Sequence, residues 1–407
     1  MKPRDPVPEV YAIRRGSAGG WAVNRRNVIA AAAAAVSSPG VASGASCAYG
    51  AYAHGFYIHA LALHPDSRLL VSAGADSFTT TRDDTIKLWS LPDGALLKTL
   101  RGHTNQVTSV AIAPDGKLLI SSSRDGTIRF WSLPSGTLLK TLGSITGRVF
   151  CVAISPDGRL LAAGDDDPTI RIWSLPDGAQ VKTLTANPGP TQSLAISADG
   201  RTLASGSLRK IRLWSLPDGL LQKEFTTEPY VESLAFSPNG RFLASGGWGS
   251  RLEVWSLPDG ALLHTRPGQY NHISSLFFSP DGRLLISGDE DGFMLWSVPD
   301  ATLLKQVEGG ATPYPLAMSA DGGLLVSASY RSIRIWSFPE CKQLPVCLMD
   351  PTHSTNSTSA VQYTLNGVTY TLPAGASLPP TAVCTCNTVQ STGGAGGGGG
   401  GGYWYPN

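Results

Sequence analysis

Tryptophan recurs at Trp89, Trp131, Trp173, Trp214, Trp255, Trp296 and Trp336, at intervals of 42, 42, 41, 41, 41 and 40 residues. A period in this range marks an array of repeated units, each too small to bury both of its own apolar faces. The residues around each Trp repeat too, most cleanly in Val107 to Leu142 (VTSVAIAPDGKLLISSSRDGTIRFWSLPSGTLLKTL). There Val107 to Ala113 and Leu118 to Ser123 flank Asp115-Gly116, and Asp-Gly between alternating apolar runs signals a tight hairpin. The same slot holds Asp157-Gly158, Asp199-Gly200, Asn239-Gly240, Asp281-Gly282 and Asp321-Gly322, with Asp66-Ser67 as the variant. A third strand carries the Trp, and a fourth follows Leu-Pro-Asp-Gly or a relative of it, as at Pro92-Asp93-Gly94 and Pro176-Asp177-Gly178. Seven such units predict an all-β fold, a seven-bladed β-propeller of four-stranded antiparallel blades over residues 56–348. Closing the ring removes the stacking faces that an open array leaves wet.

These residues resemble the WD40 repeat family, whose period is about 40 to 45 residues with Gly-His early and Trp-Asp late. The resemblance covers residues 54–348, roughly 70% of the chain. It is to the bacterial-type variant, since every Trp is followed by Ser (Ser90, Ser132, Ser174, Ser215, Ser256, Ser297, Ser337), and only Gly102-His103 matches the Gly-His element. In the family a His, a Ser, an Asp and the Trp of one blade form a buried hydrogen-bonded tetrad. The resemblance implies His103, Ser121, Asp125 and Trp131 in blade two, and His54, Ser72, Asp83 and Trp89 in blade one. Blade three keeps Asp167 and Trp173 but has Ala163, and blades four, five and seven place Leu208, Gly249 and Tyr330 in the Asp slot. Those blades are therefore expected to rely on packing and ladder bonds. The last outer strand is expected from the C-terminal side, near Lys342 to Leu348, where Pro345 suits an edge. The alternative is a segment just before His54.

Residues 1–55 read as a leader. Asn24-Arg25-Arg26-Asn27-Val28-Ile29, an Ala run and Gly44-Ala45-Ser46-Cys47 follow the basic, apolar, small-residue order of an export signal. They resemble a twin-arginine signal, which implies an extracytoplasmic protein in the periplasm or at the cell surface, with a lipid anchor at Cys47 as an option and a cytoplasmic protein as the alternative. The longest purely apolar run, Val28 to Val36, is far short of the roughly 20 residues of a spanning helix. Residues 349–392 form a Ser/Thr/Pro-rich tail with a hairpin at Val361 to Leu372, turning at Asn366-Gly367, whose apolar residues are expected to lie against a blade. Residues 393–407 are a Gly-rich linker ending in Tyr403-Trp404-Tyr405-Pro406-Asn407, a peptide suited to capture by this protein or another.

The balance of 32 Lys+Arg against 30 Asp+Glu argues against a nucleic-acid binder. No phosphate loop, H-E-x-x-H or G-x-S-x-G occurs, so the chain reads as a non-enzyme with neither cofactor nor metal. The rivals are a propeller lyase or hydrolase at the central channel, and a metal or redox carrier using the Cys-containing ends. In an exported protein Cys341, Cys347, Cys384 and Cys386 are candidates for two disulfides, while Cys151 reads as a small buried hydrophobe. His54, His59 and His64 fall at different points of one strand rather than in a metal cluster, and Asp165-Asp166-Asp167 reads as a turn rather than a cation site. Binding is expected on the upper rim. Tyr57, Arg148, Tyr230 and His272 stand at the start of inner strands, and Arg82, Arg124, Trp248 and Tyr330 lie in second-to-third turns. Trp, Tyr and Arg dominate interface energetics. An inserted loop, Asp76 to Arg82, adds to the same rim. The expectation is a monomeric, non-catalytic scaffold that binds a protein or peptide there.

Overall fold

The computed structural model describes residues 52–348, apart from 76–83, 92, 144–146, 186–188, 229, 250, 268–271, 290–291, 309–314 and 345–347, together with the strands Val361–Leu365 and Val368–Leu372. Seven four-stranded antiparallel sheets follow one another, each running in chain order from an inner to an outer strand. Blade two, for example, comprises Val107–Ile112, Leu118–Ser123, Ile128–Ser132 and Thr137–Leu142. No helix occurs among the described residues.

The core is divided into seven apolar clusters, one at each junction between neighbouring blades. Ile86 and Leu88 of blade one meet Val107, Leu119 and Trp131 of blade two. The series returns on itself where Val326, Ile333 and Ile335 of blade seven meet Ile58, Leu70 and Trp89 of blade one. Each periodic Trp fills the junction with the preceding blade. Trp255 stacks on Phe225 of blade four with ring centroids 5.3 Å apart, and Trp336 sits edge-on to Phe293 of blade six at the same separation. The interval of about 41 residues is thus the spacing of one large aromatic per junction. Burying each contributes about 3 kcal/mol, and closure lets every blade receive one.

The hairpin turns follow from their residues. Gly116 has φ +73°, which glycine adopts at little cost, and the Asp115 carboxylate accepts the Lys117 N–H at 2.9 Å. Ser67 holds the same left-handed conformation, φ +61°, without being glycine.

Both ends of the ring meet at the junction of blades seven and one. The outer strand of blade seven comes from the C-terminal side, with Lys342–Gln343 pairing with Ser337 and Trp336, and the Leu344 N–H donating to the Ile335 carbonyl at 2.7 Å. Residues before the first strand contribute as well. The Ala53 N–H donates to the Arg331 carbonyl at 2.8 Å, the Ile58 N–H to that of Tyr330 at 3.0 Å, and Lys87 Nζ to the Ala53 carbonyl at 2.9 Å.

A second device links blades along the lower edge. On the outer strand of each of the first six blades a basic side chain donates to a backbone carbonyl in the Pro-Asp-Gly turn, or its equivalent, of the next blade. Lys98 reaches Ser135, Lys140 reaches Asp177, Lys182 reaches Asp218, Lys223 reaches Asp259, Arg266 reaches Ala301 and Lys305 reaches Glu340. Among the described residues six junctions are stapled in this way.

Candidate functional site

The rim loops are held by buried polar groups beneath them. In blade two, Asp125 accepts from His103 Nδ1 at 2.9 Å, so that nitrogen carries the proton and Nε2 accepts from the Ser121 hydroxyl at 2.8 Å. Ser121 Oγ in turn accepts from Trp131 Nε1 at 2.9 Å. Burial raises the Asp125 pKa, but the bonds from His103, Thr127 and the Thr104 N–H outweigh it and hold the carboxyl well below the usual range. In blade one, Ser72 Oγ bonds to His54 Nε2 at 2.7 Å and accepts from Trp89 Nε1 at 2.8 Å. Asp83 lies outside the described residues, while the adjacent Asp84 is buried and accepts the Val107 N–H of blade two at 2.9 Å.

The expectation that the remaining blades rely only on packing and ladder bonds needs correction for blades four to seven. Trp214, Trp255, Trp296 and Trp336 each donate to a buried serine, Ser205, Ser245, Ser287 and Ser327, at 2.9 to 3.0 Å. A buried indole N–H needs an acceptor, and the second-strand serine persists where the His is gone. In blade five the Ser245 hydroxyl donates to the buried Glu253 carboxylate at 3.4 Å.

On the rim itself the structure gathers residues into three groups. At the junction of blades seven and one, Tyr57 and Tyr330 meet with ring centroids 4.9 Å apart, Phe56 joins them, and the Arg331 guanidinium stacks over Tyr330 at 4.8 Å and Tyr52 at 5.1 Å. Tyr57 and Tyr330 are therefore half-buried parts of one aromatic cluster rather than separate contact points. Above blades two and three, Arg148 is held by Asp166, with Nε to Oδ2 and Nη2 to Oδ1 both 3.0 Å. Burial raises the Asp166 pKa, yet the Arg148 hydrogen bonds hold it below the ordinary value. The Arg124 N–H donates to the Gln106 carbonyl nearby. The third group lies over blades four to six. Tyr230 and Trp248 face each other across the inner and second strands, and the Val231 N–H bonds to the Leu208 carbonyl, so Leu208, Tyr230 and Trp248 are neighbours. Gly247 permits this, since a Cβ there would strike the Tyr230 carbonyl. His272 packs against Trp248 with centroids 5.0 Å apart and pairs with Glu232, while the Arg209 guanidinium lies 5.8 Å from the Tyr230 ring.

The family model described as WD domain, G-beta repeat matches residues 46–90, 94–132, 136–174, 178–215, 220–256 and 260–296, more than half of the chain. The chain belongs to the WD40 repeat family. Its seventh WD40 blade lies beyond the matched segments and carries Phe338-Pro339-Glu340-Cys341 where the others have Leu-Pro-Asp-Gly or a near variant. Over 49 residues the chain is 47% identical to Nuclear distribution protein PAC1 of Mycosarcoma maydis, covering 12% of this chain and 11% of that protein. It is 42% identical over 67 residues to Nuclear distribution protein nudF of Aspergillus terreus (16% and 15%), and 41% over 70 residues to WD repeat and SOCS box-containing protein 1 of Homo sapiens (17% and 15%). The chain thus spans less than a fifth of the length of these curated relatives. WD40 propellers of this kind serve generally as protein-interaction scaffolds.

Other residues singled out in this WD40 chain take structural places. His64 bonds to Asp66 and to the Gly116 carbonyl of the next blade, apart from His54. Arg171 pairs with both Asp165 and Asp167, which accounts for the carboxylate run. Among the described residues no three His, Cys, Asp or Glu side chains converge as metal ligands. Cys151 Sγ faces the Thr191 carbonyl, and burial pushes its thiol up to about 12 against the opposing hydrogen bond from Gly164. Cys341 is a free, buried thiol. Arg82, Cys47, Cys347, Cys384 and Cys386 lie outside the described residues. Sequence reasoning placed Leu208 only in the Asp slot of blade four and missed Arg331 and the basic staples. The recurrence of Lys at the third or fourth position of the outer strand was the available signal for the last.

Proposed function

We propose that this WD40 propeller is a scaffold that holds a protein or peptide partner against the upper rim of blades four to six. One observation carries the reading. Among the described residues, the exposed large apolar side chains lie on or beside outer strands, with three exceptions: Leu208, Tyr230 and Trp248, which form one patch. Trp248 is 48% exposed although it packs on His272, so nothing in the fold requires an indole there. An aromatic pair flanked by Arg209, Glu232 and His272 suits a segment with an apolar or aromatic anchor and polar neighbours.

The test is selection of displayed peptides on the immobilised protein, followed by affinity measurement against Trp248→Ala and Tyr230→Ala. A central aromatic is worth about 2 kcal/mol, so each variant should weaken selected peptides ~30-fold. Selection of the same peptides at equal affinity by both variants refutes the assignment. The leader motif supports a second proposal, export by a twin-arginine route. Replacing Arg25 and Arg26 by Lys should then retain the precursor in the cytoplasm, and mature protein starting near Ala45 to Cys47 is the expected product. A full-length protein that stays in the cytoplasm with the native leader refutes it.

A further inference from the structure

The lower face, where the first hairpin of each blade turns, is not uniform around the ring. The residue before the turn Asp decides what stands beside the turn glycine of the next blade. Pro114 stands beside Gly158, Pro156 beside Gly200, Pro238 beside Gly282 and Pro280 beside Gly322, since a Cβ on each of these glycines would lie 3.0 to 3.9 Å from the prolyl ring. His64 covers Gly116 in the same way. Blade four has Ala198 in that slot, and a Cβ on Gly240 of blade five would meet nothing within 4 Å. Gly240 is accordingly exposed, whereas Gly116, Gly158, Gly200, Gly282 and Gly322 are buried or half-buried. The same turn carries a second departure, because Asn239 stands where the other blades have Asp. Its Oδ1 accepts from the Ser237 hydroxyl at 2.8 Å and from the Arg241 N–H at 3.0 Å, so its amide nitrogen keeps both hydrogens to donate. Across the junction Asp199 takes the Ser197 hydroxyl and the Arg201 N–H on Oδ1, and among the described residues its Oδ2 accepts no hydrogen bond. Asp199 and Asn239 border a hollow of about 710 Å³ together with Ala198, Phe236, Gly240 and Leu257.

We propose that this hollow binds a proline-bearing peptide segment of a partner protein, whose prolyl ring takes the place beside Gly240 that Ala198 leaves empty. The repeat itself shows the fit, because four neighbouring junctions hold a pyrrolidine ring at the equivalent point. The polar groups complement a main chain on either side of that ring. Asn239 donates to a peptide carbonyl where the Asp of the other turns would repel it, and Asp199 accepts a peptide N–H. Proline's fixed φ reduces the entropy lost when such a segment is ordered. Blade seven also has Ala in the slot, at Ala320, but the turn facing it carries Asp66 and Ser67, so neither the bare glycine nor the amide is present there. Both departures coincide at the junction of blades four and five. The site lies on the face opposite Tyr230 and Trp248 and is independent of the upper rim.

The experiment follows the glycine amides of the full chain, labelled with heavy-nitrogen glycine, by NMR. A tetrapeptide pool, acetyl-X-Pro-X-X-amide with X randomised, is added at millimolar concentration, and acetyl-X-Ala-X-X-amide serves as the control. The Gly240 signal should shift with the proline pool and stay still with the alanine pool. Ala198→Pro installs the ring that other junctions carry, so it should keep the urea midpoint and abolish the shift. Asn239→Asp restores the carboxylate of the other turns and should raise the apparent Kd about tenfold. A Gly240 signal that ignores the proline pool, that follows both pools equally, or that still moves in Ala198→Pro overturns the proposal. Shifts at Gly247 and Gly249 without one at Gly240 would place the peptide on the upper rim and overturn this seat too. Should Ala198→Pro fail to fold, Asn239→Asp decides, and an unchanged Kd in that variant overturns the proposal.

Discussion

Replacing Ser121 by alanine removes one oxygen on which two buried groups depend. The Trp131 indole donates to it at 2.9 Å and His103 Nε2 bonds to it at 2.8 Å, and all three residues are no more than 3% exposed. Each buried group left without a partner costs about 1–3 kcal/mol, so Ser121→Ala should lose about 4 kcal/mol. Ser205→Ala in blade four provides the internal comparison, because Ser205 serves only the Trp214 indole at 3.0 Å among described side chains. It should lose about 2 kcal/mol. The difference isolates what the histidine adds. Urea unfolding followed by tryptophan fluorescence, with the slope checked for constancy, gives both values. A cycle with Trp131→Phe should show Ser121→Ala becoming milder once the donor is gone. Equal losses in the two serine variants, or losses below about 0.5 kcal/mol, would refute the accounting and mean that other groups or entering water satisfy these atoms.

Other outcomes follow from named groups. Asp125 has a folded pKa below its ordinary 3.8, so its stabilisation is complete above that value and is lost as pH falls below it. Asp125→Asn should therefore flatten the acid limb of a stability–pH curve while lowering stability at neutral pH, and an unchanged acid limb would contradict the assignment. Ser67→Gly relieves a left-handed φ of +61° and should raise stability by about 1 kcal/mol, measurable as a higher urea midpoint. Cys151, with its thiol near 12, should resist iodoacetamide at pH 8 in the folded protein and react on unfolding, as followed by peptide mass spectrometry.

The blades were legible in the sequence because their causes are local. Asp115-Gly116 makes a turn wherever it occurs between apolar runs, and each junction needs one bulky aromatic, which sets the Trp interval. The rim was less legible, because its contacts cross between blades. Tyr57 and Tyr330 stand at opposite ends of the ring in sequence and become neighbours only on closure. Arg148 looks like a free guanidinium until Asp166 is brought beneath it. Leu208 and Tyr330 hold φ of +42° and +48°, a conformation that no residue pattern announces for leucine or tyrosine. The Lys182 contact with Asp218 likewise depends on how far one outer strand leans toward the next turn.

The fastening between Ala53 and Arg331 has a consequence for biosynthesis. Segment 52–58 leaves the ribosome before any blade exists, yet its acceptors belong to the last one. The earlier blades can stack and staple as they emerge, whereas this lock waits for nearly the whole ring. A nascent chain halted short of blade seven is therefore an open horseshoe with a wet terminal seam, and the emergence of blade seven is the moment at which the ring can close.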